Sequence, residues 1–114
     1  MGKLLYGSAG SEIFFDDRTL AHLQLVLGAK LRRHEAFFCS WRNDAKAGEG
    51  RSSIWIETSI PLYFLFEGGG RVAINRVWLD ELTKSANSAQ GLQIMAETDA
   101  VAAAGAGRVT ELSR

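Results

Sequence analysis

A stripe of leucines in the first third of the chain is the feature that most constrains its fold. The residues between Arg18 and Arg33 repeat leucine every three or four positions, which places these side chains on one side of an α-helix. The stripe consists of Leu20, Leu23, Leu27 and Leu31. Asp16 or Asp17 can cap the free amides of the first turn. The sequence therefore predicts an amphipathic helix whose leucine side must be covered by other elements.

Short apolar runs on both sides of this helix predict β-strands. They occupy residues 3–6, 12–15, 35–42, 51–57, 62–66 and 92–96. A second helix is predicted after Asn75, which can act as its N-cap. Its expected buried side consists of Trp78, Leu79, Leu82, Ala86 and Ala89. The resulting order β-β-α-β-β-β-α-β predicts the α+β class, with a mostly antiparallel sheet and both helices packed on one face.

The chain length of 114 residues fits about one domain. We expect a single small domain over residues 1–97. Residues 98–114 are rich in Ala and Gly and offer little apolar bulk, so they are predicted to form a flexible tail.

Charge and cysteine content indicate which cellular compartment and which kinds of partner to expect. The formal net charge is zero, so no global charge attracts the chain to nucleic acid or to a membrane surface. No apolar run approaches the roughly 20 residues that span a bilayer. Cys39 is the only cysteine, which excludes an internal disulfide and favours a reducing compartment. A cytoplasmic protein without membrane partners is expected.

Catalytic and metal-binding patterns are absent from the sequence. Cys39 alternates with Phe37 and Trp41 along a predicted strand, which favours a core residue over a nucleophile. His22 and His34 lie about 18 Å apart along one predicted helix, so they cannot share a metal ion. No metal-ligand motif occurs, and no cofactor is predicted.

Basic and aromatic residues form the most informative cluster. The helix side away from the leucines, together with the end of the hairpin over residues 35–57, carries Arg18, His22, Arg32, Arg33, Trp41, Arg42, Lys46, Arg51 and Trp55. Basic side chains neutralise phosphates and exposed aromatic rings stack on bases, so these residues are candidates for binding nucleic acid. The alternative is that the tryptophans are core residues and the arginines a solvated surface.

The faces of this hairpin depend on its register. If Asn43 pairs with Arg51, then Phe37, Cys39, Trp41 and Trp55 share one face of the hairpin. A shift by one residue would exchange the faces of one strand.

Several segments resemble a family of short bacterial proteins that are labelled ATP-dependent DNA ligases. The resemblance covers residues 1–97 and rests on KLLYG, DDRTLAHLQLVLGAKLRR, FCSWRND, GRSSIWI, SIPLYF and INRVWLDELTKSANSAQGL. It implies a role in ATP-dependent DNA ligation. A ligase of this kind uses a lysine nucleophile within K-x-D-G, and none of Lys3, Lys30, Lys46 and Lys84 begins that motif. The residues themselves therefore favour a protein that is not an enzyme.

Three functions follow from these observations. The first is a non-catalytic interaction domain, with nucleic acid bound through the basic helix side and hairpin. The second is the role in DNA ligation that the resemblance implies. The third is a structural homo-oligomer, such as a homodimer, in which an apolar strand face forms the subunit interface.

Overall fold

The computed structural model describes residues 1–43, 48 and 50–100. Its elements are β1 (Gly2–Tyr6), β2 (Ser11–Phe15), α1 (Asp17–Arg32), β3 (Phe37–Arg42), β4 (Arg51–Ile56), β5 (Leu62–Leu65), α2 (Arg76–Ala86) and β6 (Leu92–Gln93). The predicted order of strands and helices and the α+β class are confirmed. Residues 97–100 add a further helical turn.

The strands form two three-stranded sheets instead of the single sheet that was predicted. The chain divides into two compact units, one comprising Met1–Phe37 with Trp55–Ile74 and the other comprising Phe38–Ile54 with the chain from Asn75 onward. Two sheets form because β5 pairs with β1 and β6 pairs with β3. Each of these late strands joins a partner that is distant in sequence and completes a separate sheet. We describe each unit by itself.

The first unit is a β2-β1-β5 sheet covered on one side by α1. Both strand pairs are antiparallel, with Leu4 opposite Ile13 on one side and Phe64 on the other. Leu4 and Phe15 are buried. Gly2 allows the closest approach, since a Cβ atom there would lie 2.6 Å from the Asp17 carboxylate and 2.7 Å from the Leu65 carbonyl oxygen.

Helix α1 follows the predicted pattern closely. The Asp16 carboxylate accepts a hydrogen bond from the Thr19 amide at 3.2 Å, so Asp16 is the N-cap. Leu20 and Leu23 are fully buried and Leu27 is 1% exposed, whereas Leu25 is 46% exposed. The inward side of the helix is therefore core, and Leu25 marks its outward side.

The second unit holds α2 and most of the β4-β3-β6 sheet, while Phe37 of β3 and the last two residues of β4 are assigned to the first unit. Strand β6 runs parallel to β3, with Leu92 opposite Cys39. Asn75 caps α2, as predicted, by accepting hydrogen bonds from the amides of Val77 and Trp78. The Trp78 indole donates to the carbonyl oxygen of Met95 at 3.0 Å, which holds the chain after β6 against the helix.

The β3–β4 register is shifted by one residue from a pairing of Asn43 with Arg51. The Asn43 amide donates to the carbonyl oxygen of Gly50, and the hydroxyls of Ser40 and Ser53 lie 2.8 Å apart, which fits one antiparallel register. Ile54 consequently shares the face of Cys39, and Trp55 alternates with it along β4. The grouping of Trp55 with Cys39 depended on the pairing of Asn43 with Arg51, and it does not hold because Asn43 pairs with Gly50.

One smaller prediction about the second unit also needs correction. Ala89 is exposed because α2 ends at Ala86, before the apolar pattern does. Ala100 is buried and its amide donates to the carbonyl oxygen of Ala96. The rest of the predicted tail, residues 101–114, lies outside the described residues.

Truncation of the two sides of α1 should have very different effects. Leu27→Ala removes a fully packed side chain and should lower the free energy of unfolding by about 2–5 kcal/mol. Leu25→Ala should change it by no more than about 0.5 kcal/mol in dilute solution, because that side chain is largely in solvent. Chemical denaturation of both variants at low micromolar concentration measures the difference. Equal losses at both positions would contradict the exposed placement of Leu25.

Candidate functional site

The predicted basic and aromatic residues fall into both units. The first unit holds Arg18, His22, Arg32, Arg33 and Trp55, and the second holds Trp41, Arg42 and Arg51. Lys46 lies outside the described residues. The structure of each unit therefore brings together only part of the predicted set.

His22 does not belong to an exposed surface. Its side chain is fully buried, and Nδ1 lies 2.7 Å from the backbone carbonyl oxygen of Arg18. Because a carbonyl oxygen only accepts, Nδ1 must carry the hydrogen in this contact. The prediction of His22 as a binding residue on the outer side of α1 does not hold, because the histidine is a hydrogen-bonded core residue.

The arginines of the first unit are engaged to different degrees. Arg18 donates from Nη1 to the carbonyl oxygen of Ala73 at 2.8 Å. Arg33 and Lys30 both contact the Glu35 carboxylate, at 2.9 and 2.7 Å respectively. The hydrogen bond from Arg33, followed by that from Lys30, lowers the pKa of Glu35 to about 2. Part of the positive charge at this end of α1 is therefore neutralised, while Arg32 remains exposed.

The predicted residues of the second unit are also partly engaged. Arg51 donates to the side-chain oxygen of Gln93 on β6, and Arg42 is exposed. Trp41 is half-buried, so its ring is neither fully packed in the core nor fully open for a base to stack on it. Trp55, in the first unit, is 43% exposed and is the more accessible ring.

Cys39 is a core residue, as the sequence predicted. It is 1% exposed, and burial raises the pKa of its thiol to about 12. A thiol with so high a pKa holds almost no thiolate at neutral pH, which is the reactive form. Among the described residues, no cluster of three or more His, Cys, Asp or Glu side chains could hold a metal ion.

An apolar groove runs beside α1 in the first unit. Its volume is about 350 Å³, and it is open to solvent. Leu27 and Leu31 of the helix form one wall, and Leu62 and Phe64 of β5 belong to the other. The remaining lining residues are Gln24, Gly28, Glu57, Thr58 and Ile60. The groove thus has an apolar interior with a few polar groups along it.

Gly28 is responsible for part of this opening. It lies in the middle of α1, where glycine is less favourable than alanine by about 1 kcal/mol. A Cβ atom on Gly28 would have no described atom within 4 Å, and its φ is not positive. Neither sterics nor backbone conformation within the described chain therefore requires glycine at this position.

Leu25 lies one turn before Gly28 and projects outward. Residues three apart are neighbours on a helix surface, so an exposed leucine and a missing side chain occur next to each other. The outer side of α1 therefore offers both an apolar projection and an apolar recess.

The outer face of the first sheet is a second exposed apolar surface. Phe14, Lys3 and Leu65 form one row across β2, β1 and β5, and Phe14 is 59% exposed. Tyr63, in the neighbouring row, is 60% exposed. Lys3 and Glu12 form an ion pair at 2.6 Å, so the charges on this face cancel.

Sequence reasoning missed both apolar surfaces. A signal for the groove was available, since Gly28 is an isolated glycine inside the predicted helix, where glycine is less favourable than alanine. The signal for the sheet face was weaker. Phe14 and Tyr63 lie in strands that are apolar on both sides, and the exposed side cannot be chosen without the register.

These features define a small α+β domain with two exposed apolar surfaces, the groove beside α1 and the outer face of the first sheet. No helix in the described part of the chain has the length and hydrophobicity needed to cross a bilayer. The chain belongs to the family described as "Domain of unknown function (DUF7882)", which matches residues 1–97. That description names no activity and gives no support to the ligase label. Searches of curated proteins and of solved structures each find no match.

Alanine at position 28 should stabilise the isolated chain. Gly28→Ala restricts the unfolded backbone and adds a methyl group in open space, so the free energy of unfolding should rise by about 0.5–1 kcal/mol. Gly91→Ala is the matched contrast. Gly91 has a φ of +82°, and a Cβ there would lie 2.6 Å from the Phe38 carbonyl oxygen, so this variant should lose stability. Thermal and urea unfolding of both variants give the signs, and destabilisation by Gly28→Ala would show that the glycine is needed within the fold.

Proposed function

We propose that this protein is a non-catalytic interaction domain that binds a protein partner through the outer side of α1 and its adjoining groove. The observation that carries this proposal is Gly28, a helix-interior glycine that opens an apolar groove beside the exposed Leu25. A glycine that costs helix stability and has no internal steric role is explained if another backbone or side chain approaches the helix there. A cytoplasmic setting, indicated by the single cysteine, is part of the same proposal.

Nucleic-acid binding is a second candidate for the first unit. Arg32 is exposed near the end of α1, and Trp55 presents 43% of its surface to solvent. These residues could contact phosphate and stack on a base, respectively. We rank this candidate lower, because Arg33 is paired with Glu35 and His22 is buried.

The role in DNA ligation that the resemblance implies is a third candidate. Ligation would require a lysine free to attack ATP, and of the three lysines within the described residues, Lys3 and Lys30 each form an ion pair with a glutamate. Lys84 forms a longer contact with Glu81, at 3.4 Å. Together with the missing K-x-D-G motif, these contacts favour the non-catalytic proposal.

The proposal predicts a protein contact at position 25 in cells. A photo-reactive amino acid replaces Leu25 in the full chain, expressed in cells that carry the native gene. Irradiation should yield a covalent adduct with a protein, because Leu25 would lie inside the interface. The same substitution at Lys84, whose side chain is 75% exposed on α2, is the control and should yield no adduct.

The groove itself is tested by combining this probe with Gly28→Ala. The added methyl group projects into the recess beside Leu25 and should reduce the adduct, although the chain is more stable. An adduct that persists in this variant, or equal labelling from positions 25 and 84, would overturn the proposal.

Oligonucleotide titration separates the second candidate from the first. With fluorescent single- and double-stranded oligonucleotides at low salt, we expect no binding tighter than about 10⁻⁴ M, the weak end of non-specific affinity. Tighter, steeply salt-dependent binding would favour the nucleic-acid candidate. In that case, replacing Arg32 and Arg33 together by Ala should flatten the salt slope by about two units.

A further inference from the structure

We propose that the outer face of the second sheet binds a nucleoside monophosphate, whose phosphate contacts Arg42 and Arg51 and whose base stacks on Phe38. This face carries the side chains of Phe38, Ser40 and Arg42 from β3 and of Arg51 and Ser53 from β4. All five residues belong to the second unit. The inference therefore goes beyond the proposed function, which concerns α1 and the first unit, and each can fail without the other.

The register of β3 and β4 places the two arginines opposite each other. The Asn43 amide donates to the carbonyl oxygen of Gly50 at 2.9 Å, so Arg42 and Arg51 form the next pair along the strands. Directly opposite residues have their side chains on the same face, and both arginines are exposed. Because like charges in such a pair repel each other, an anion between them would replace repulsion by attraction.

A neutral glutamine positions one of the two guanidinium groups. Arg51 donates from Nη2 to Oε1 of Gln93 on β6. Strand β6 lies on the far side of β3, with Gln93 opposite Ser40, so the Arg51 side chain extends across β3 at the level of Ser40. The amide oxygen orients the guanidinium group without cancelling its charge. The contact uses one N–H group of a guanidinium that carries several, so further donors remain for a ligand.

The positive charge of this face is not neutralised within the described chain. Neither Arg42 nor Arg51 forms an ion pair with a carboxylate among the described residues. The connecting residues add Asp44, Lys46 and Glu49, so this end of the hairpin holds three basic and two acidic residues and keeps a net charge of +1. Guanidinium groups form bidentate hydrogen bonds with phosphate, which makes phosphate the anion that two arginines suit best.

An exposed aromatic ring lies on the same face. Phe38 is 51% exposed and precedes Ser40 by two residues on β3, a spacing of about 7 Å. Arg42 follows Ser40 by the same spacing, so the guanidinium group of Arg51 lies between Arg42 and the ring. A ligand that fills this span has a phosphate at one end, a spacer, and a planar ring at the other end. In a nucleoside monophosphate the ribose is the spacer, and the base stacks on an aromatic side chain.

The openness of the face limits the affinity. All of these contacts are exposed to water, so we expect a dissociation constant of about 1 mM for AMP. The phosphate monoester of AMP carries nearly two negative charges at neutral pH, which match two arginines, whereas each phosphodiester inside a nucleic acid carries one. A mononucleotide therefore fits this face better than an internal segment of an oligonucleotide does.

Titration of the isotope-labelled full chain with AMP at constant ionic strength tests the proposal by NMR. Amide shifts should change saturably in β3, β4 and β6. Ribose 5-phosphate lacks the base and adenosine lacks the phosphate, so each should bind about fivefold more weakly than AMP, or weaker still. Absence of saturable shifts with AMP, or equal affinity for AMP and ribose 5-phosphate, would overturn the inference.

Single substitutions test each part of the face. Arg42→Gln should weaken AMP binding about tenfold or more, because a charged hydrogen-bond donor is lost. Gln93→Glu keeps both arginines but places a carboxylate against Arg51, and it should weaken binding to a similar degree. Phe38→Thr retains a residue that favours strands, and it should lower the affinity for AMP to that for ribose 5-phosphate. Unchanged AMP binding in Arg42→Gln or in Phe38→Thr would contradict the assigned contacts.

A charge-matched control separates this site from general attraction of anions. Arg71 and Arg76 are exposed and lie outside the second sheet. The double variant Arg71→Gln/Arg76→Gln loses as much positive charge as Arg42→Gln/Arg51→Gln, yet only the latter should lose AMP binding. Equal losses in the two double variants would show nonspecific attraction and overturn the inference. The photo-adduct at position 25 does not depend on these arginines, so the proposed function is judged separately.

Discussion

The burial of one side of α1 is the constraint on which the first unit depends. Leu20, Leu23 and Leu27 are within 1% of complete burial, and the helix rests on a sheet of only three short strands. A sheet of three short strands buries too little apolar surface to form a core by itself. The core of the first unit therefore requires the helix. The same packing fixes which residues α1 presents outward, so the orientation of the candidate surface is a direct result of core formation.

Local patterns in the sequence were sufficient for most elements of the fold. The leucine stripe predicted α1, and the cap at Asn75 predicted the start of α2, because both depend on neighbouring residues alone. The division into two sheets was not predictable in the same way. It depends on β5 choosing β1 and β6 choosing β3, and periodicity carries no information about strand partners that are distant in sequence.

The site was less predictable than the fold for a related reason. The sequence located the basic residues, but it did not reveal that Glu35 pairs with two of them or that His22 turns its ring to a backbone carbonyl group. A one-residue difference in the β3–β4 register was enough to regroup Trp55. Exposure on a strand that is apolar on both sides is decided by pairing, and the groove at Gly28 requires β5 as its second wall.

The long-range strand pairs also bear on the order in which the chain acquires structure. The β1–β2 hairpin and α1 are local and can form early, whereas each sheet needs a strand from much later in the chain, β5 for the first and β6 for the second. Closing such long loops costs entropy before any contact compensates for it, which slows folding compared with helical proteins of similar size. During synthesis, β3 cannot pair with β6 until nearly all of residues 1–97 have been made. Until then the apolar strand Phe37–Arg42 lacks its parallel neighbour. Exposed strand edges of this kind promote aggregation, so each sheet presents an open edge until its last strand, β5 or β6, has been made.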